Sequence, residues 1–94
     1  MRLTNAQREK LCALVYQALV EIRVLCWQKQ PEQAADLADA FHNLPKDMWR
    51  DDFALEEFRH LFLKDYQEKY PGKAEGFLAA VDEIIEMGEN PSSN

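Results

Sequence analysis

Two acid-x-x-His steps are the sharpest chemistry in this 94-residue chain, Asp39 with His42 and Glu57 with His60. An acid and a histidine three residues apart share a helix face. Di-iron bundles build their centres from two Glu-x-x-His steps plus one Glu from each of the other helices. Glu21 and one of Asp82, Glu83 or Glu86 would complete such an inventory. Helical geometry opposes it. At about 100° per residue, His60 points away from the apolar stripe of its helix, and Glu57 and Asp39 lie well off theirs. The steps therefore read as surface charge pairs, and no catalytic residue, metal or cofactor is expected. An enzyme or metal binder built on His42, His60 and nearby acids is the competing class. His42 has a structural reading of its own, because it closes its helix just before Pro45. An imidazole there can hydrogen-bond the terminal carbonyls or favour the negative end of the helix dipole.

Cys12 and Cys26 fall in apolar runs inside what reads as one helix, far from its start. That setting predicts buried packing and not a reactive thiolate. Fourteen helical residues span about 21 Å, whereas a disulfide needs Cα atoms within roughly 7 Å. The pair cannot close within one chain, and reduced thiols in a cytoplasmic protein follow. Zinc-type spacings and phosphate-cradling glycine loops are absent from the sequence.

Two features suit a protein partner better than a small molecule. Met48, Trp49 and Phe53 form an apolar connection flanked by Lys46, Asp47, Arg50, Asp51 and Asp52, the apolar-centre and charged-rim pattern of interfaces. Trp49 either anchors a partner or folds down as a lid on the core. The second feature is the run of carboxylates on the last helix, Glu75, Asp82, Glu83 and Glu86, with Glu89 following. Such a face is either simply solvated or presents negative charge to a basic partner.

The elements that position these residues are all helical. Thr4 and Gln7 have the capping-box spacing, and apolar residues then recur at Leu11, Leu14, Val15, Ala18, Ile22, Leu25 and Cys26. This predicts a first helix over residues 5–29. Pro31 opens a second with Ala34, Leu37, Ala38 and Phe41 inward, ending near Asn43 or Leu44 before Pro45. Asp51 or Asp52 caps a third over 53–69, with Leu55, Phe58, Leu61, Phe62 and Tyr66 inward, and Pro71-Gly72 stops it. The fourth covers 73–87, turning Phe77, Leu78, Val81, Ile84 and Ile85 to one side, with Gly88 as terminator. A short extra turn is expected near Lys46 to Trp49. Residues 1–88 form one domain, and the tail 89–94 is expected to fray.

The first helix is apolar around most of its girth. Lys10, Gln17, Glu21 and Gln28 make a narrow polar strip, while Cys12, Ala13, Tyr16, Leu19, Val20, Val24 and Trp27 run round the rest. Enclosure by the other three helices accounts for this, and so does a homodimer through the uncovered part. The expected fold is a compact all-α four-helix bundle, roughly antiparallel, with a largely buried first helix.

Composition sets the outer bounds. One domain fits the length, and 47% apolar with 30% charged residues is ordinary for a globular protein. Seventeen acidic against eleven basic residues give −6, a sign that repels phosphate backbones, so no nucleic-acid partner is expected. The charge is uneven, since residues 1–30 hold five basic and two acidic groups. The apolar run from Leu11 to Val20 is too short to span a bilayer, and no membrane partner is expected.

The run Ala35-Asp-Leu-Ala-Asp-Ala-Phe-His-Asn-Leu-Pro45, followed by Phe58-Arg-His-Leu-Phe62 and Tyr66-Gln-Glu-Lys-Tyr-Pro71, resembles segments of a group of small bacterial proteins. The resemblance covers roughly residues 34–71. It implies a bacterial, cytoplasmic origin and carries no catalytic residue with it. The function expected from the whole sequence is a non-enzymatic protein-interaction module, in its specific form an acidic inhibitor or immunity-like protein. It would dock through the Met48, Trp49 and Phe53 connection or the residual apolar side of the first helix, with Asp82, Glu83 and Glu86 as the acidic contact residues. Metal binding and structural homodimerisation are the alternatives.

Overall fold

Capping chemistry and proline set the helix boundaries. In the computed structural model, which describes residues 3–50 and 55–89, α1 spans Asn5–Trp27, α2 Pro31–Phe41, α3 Leu44–Arg50, α4 Leu55–Phe62 and α5 Glu75–Glu89. One wide turn of i→i+5 bonding, Leu63–Gln67, prolongs α4. No strand occurs among the described residues. The architecture is an all-α four-helix bundle with α3 as a short extra piece.

The capping box of α1 forms as the sequence requires. Thr4 Oγ1 accepts from the Gln7 backbone N–H at 3.0 Å, and Gln7 Oε1 accepts from the Thr4 N–H at 2.9 Å. The helix ends at Trp27, two residues short of Lys29. There the chain turns through a left-handed residue, Lys29 at φ 59°. Lys29 N–H bonds to the Cys26 carbonyl and Gln30 N–H to the Leu25 carbonyl, the paired closure of a Schellman motif. Pro31 then takes the first position of α2, where its missing N–H costs nothing. Pro45 sits in the first turn of α3, so the segment expected as a turn with little helix is a seven-residue helix. The expected caps Asp51 and Asp52, and the tail beyond Glu89, lie outside the described residues.

Packing gathers one core. Leu11, Leu14, Ala18 and Leu25 of α1, Leu37 and Phe41 of α2, Leu44 of α3, Leu55 and Phe62 of α4, and Val81 and Ile84 of α5 are all buried. Phe41 is its hub, edge-on to Phe58, Phe62 and Phe77 at centroid distances of 5.6, 5.2 and 5.3 Å. Each such pair adds about 0.5–1.5 kcal/mol beyond its buried area. Tyr66, buried beneath Phe62, accepts a hydrogen bond from Gln33 Nε2 at 2.9 Å. Above it Asp36 receives both the Tyr70 hydroxyl, at 2.6 Å, and Lys69, at 3.0 Å. These polar contacts clamp α2 to the end of the α4 extension.

Several expectations change. Leu61 is exposed, because its direction lies about 100° from the line through Leu55, Phe58 and Phe62, at the shoulder of the stripe. Gly88 lies within α5 and terminates nothing. A Cβ there would stand 2.4 Å from Gln7 Nε2, so the glycine makes room for the Gln7 amide, which donates to the Ile84 carbonyl at 3.0 Å. The largest change concerns α1, which is not largely buried. It packs on α2, α5 and α3 along one side only, and Cys12 and Cys26, expected inside, are both exposed.

A candidate protein-docking surface

The uncovered side of α1 follows a regular spacing. Cys12, Tyr16, Leu19, Arg23 and Cys26 alternate steps of four and three, which keeps side chains on one seam of a helix. Val20 and Trp27 flank the seam. Tyr16 is 69% exposed, Leu19 59%, Val20 41% and Trp27 67%. The buried set of Gln7, Leu11, Leu14, Ala18 and Leu25 faces the opposite way. Helix α1 thus has two apolar faces, and the bundle covers one. Arg23 interrupts the outer face without making it hydrophilic, since its guanidinium carbon lies 4.3 Å from the Trp27 ring centroid.

Trp49 extends this surface toward α3. Leu44 and Met48 bury one side of that short helix, and Arg8 Nη1 donates to the Met48 carbonyl at 2.7 Å, tying α3 to α1. The indole on the other side is 83% exposed. It borders a groove of about 330 Å³ shared with Arg8, Cys12, Val15, Pro45 and Met48. The lid reading of Trp49 is therefore overturned. Met48 is mostly buried on the inner side of α3, yet it lines the same groove as Trp49. Phe53 lies outside the described residues.

The acidic candidates on α5 do reach solvent. Asp82, Glu83 and Glu86 are exposed, but Asp82 is already engaged by Arg59 through both carboxylate oxygens. Of the acid-x-x-His steps, Asp39, His42 and Glu57 come to a common groove with Asp47 and Asp65, over Phe58 and Phe62. His60 lines no part of it. Among the described residues no three His, Cys, Asp or Glu side chains converge as a metal would need. His42 does what its position suggests, with Nδ1 2.7 Å from the Asp39 carbonyl oxygen. A carbonyl only accepts, so this nitrogen carries the proton.

The sequence places Tyr16, Leu19, Val20 and Trp27 on the apolar girth of α1 and offers the uncovered side of that helix as a docking surface, and the structure leaves these four side chains exposed. The four-three spacing is the signal that groups Tyr16 and Leu19 on one seam. No described helix is long and apolar enough to cross a membrane. Comparison with protein-family models, with curated proteins and with solved structures finds no match to this chain.

Proposed function

We propose that the chain is a non-enzymatic protein-interaction module that docks through the outer face of α1 together with Trp49. One observation carries this reading, the exposed apolar ridge of Tyr16, Leu19, Val20, Trp27 and Trp49. At roughly 200 Å² per aromatic side chain, Tyr16, Trp27 and Trp49 alone present on the order of 400 Å². Monomeric proteins rarely expose contiguous apolar patches larger than a few hundred Å² without a use for them. Tyr and Trp are also the residues that most often anchor interfaces. The acidic face of α5 has less to offer a basic partner, because Arg59 already neutralises Asp82. An inhibitor acting by negative charge is accordingly the weaker form of the proposal. Two exposed thiols held about 21 Å apart by one helix suit a reducing, cytoplasmic setting.

The test is a photo-crosslinking residue at Leu19 in living cells, with one at Glu83 as control. A protein adduct formed at position 19 and not at 83 is expected, whether with another copy of the chain or with a different protein. No adduct at position 19 would overturn the reading.

A further inference from the structure

We infer that the occupant of the α1 ridge is a second copy of this chain, docked antiparallel about a two-fold axis near the middle of α1. The inference rests on the interaction reading above and adds the partner's identity and orientation.

Area and shape come first. Helix α1 has 23 residues and so is about 34 Å long, most of the 44 Å long axis of the molecule. A straight partner can lie along its whole outer face, and the outer face of an identical α1 is such a partner. A stable interface buries about 800 Å² on each side. The exposed aromatics with Leu19 and Val20 supply more than half of that as apolar surface, and the polar side chains between them supply the rim.

Charge then selects partner and orientation. The seam carries Glu9 toward its start and Arg23 toward its end, both exposed; Arg8 beside its start is turned to the Met48 carbonyl, and Glu9 and Arg23 balance on a chain whose total is −6. Two copies meet there with the least like-charge opposition. In a parallel pairing Glu9 would face Glu9 and Arg23 would face Arg23. In an antiparallel pairing centred between Tyr16 and Leu19, Glu9 of each copy comes level with the Arg23 to Cys26 turn of the other, giving two matched contacts related by symmetry. The same register brings Trp49, which borders Cys12, toward the Arg23–Trp27 end of the opposite helix. Both ends of the seam are then closed by an aromatic side chain.

Sedimentation of the 94-residue chain at about 100 µM tests the inference, with far-UV circular dichroism as the control on folding. The expected mass is twice 11.0 kDa, falling to the single-chain mass in Leu19→Glu with helicity unchanged. Glu9→Arg and Arg23→Glu should each weaken association roughly fivefold or more by opposing like charges twice. Their combination should restore it, because the swapped charges again match across the two-fold. A wild-type chain that stays single at this concentration overturns the inference, and so does a double variant no better than either single one. If the chain is single while position 19 still captures a different protein in cells, this inference falls and the interaction reading stands.

Discussion

Gln7 shows how much one side chain can hold in so small a core. Fully buried, it closes the cap of α1 with its oxygen and reaches α5 with its nitrogen. Replacing it with alanine leaves the Ile84 carbonyl and the Thr4 N–H without these partners and should cost about 1–3 kcal/mol, read from urea unfolding. Gly88→Ala should destabilise as well, by displacing the Gln7 amide from its contact. Because both changes break the same bond, Gln7→Ala with Gly88→Ala should cost less than the sum of the two. Additive losses would show that Gly88 matters for another reason.

The Tyr70–Asp36–Lys69 cluster makes a second prediction, in pH. The Tyr70 hydroxyl, and then Lys69, hold the Asp36 carboxyl below its usual range. The hydrogen bond to Asp36 pushes Tyr70 up to about 12. Glu32 and then Asp36 raise Lys69. A depressed carboxylate lends stability that is present above its unfolded pKa near 4 and fades as pH falls through the folded value. A raised phenol lends stability that is present below about 10 and fades as pH climbs toward 12. The clamp on α2 should thus be fully effective between about pH 4 and 10. Tyr70→Phe should move the Asp36 titration upward, toward that of an ordinary aspartate, as followed by carboxyl NMR shifts. An unmoved Asp36 would mean that Lys69 alone sets it.

At the scale of elements, the closure of α1 is locally strained. A left-handed conformation costs a residue with a Cβ about 1–2 kcal/mol, and Lys29 adopts it at φ 59° where glycine is the usual choice. Lys29→Gly should stabilise the fold by about 1 kcal/mol, less the entropy that glycine returns to the unfolded chain. A loss of stability in thermal unfolding would show that the lysine side chain contributes more than its backbone costs. Most of the elements could be read from their ends. Thr4 and Gln7, Pro31, Pro45 and Pro71-Gly72 act through neighbours a few residues away, and the helices begin and end close to them. Gly88 misled because a glycine near the end of an apolar stripe reads as a terminator. Its real requirement comes from Gln7, 81 residues earlier in the chain.

For the molecule as a whole, what matters is that three neighbours cannot surround a helix as long as α1. The bundle is slender, 44 by 21 by 20 Å, and α1 runs as its outer rib with Trp27 and Trp49 both facing solvent. Tryptophan emission should therefore shift to shorter wavelength as the protein is concentrated and these indoles leave water. Leu19→Glu should abolish the shift. A spectrum independent of concentration, from a chain that sedimentation shows to be associated, would place the contact away from both indoles.

Composition, capping residues and the three-to-four spacing were enough to settle an all-helical chain, its punctuation and the separation of its two thiols along one rod. Those properties depend on backbone geometry within a few residues, which local side chains control. Periodicity states which side chains lie together, but whether anything lies over them depends on the length and placement of other segments. Only the tertiary structure decided which apolar side of α1 is covered, that Trp49 stands outward while Met48 turns in, and that Cys12 and Cys26 meet water.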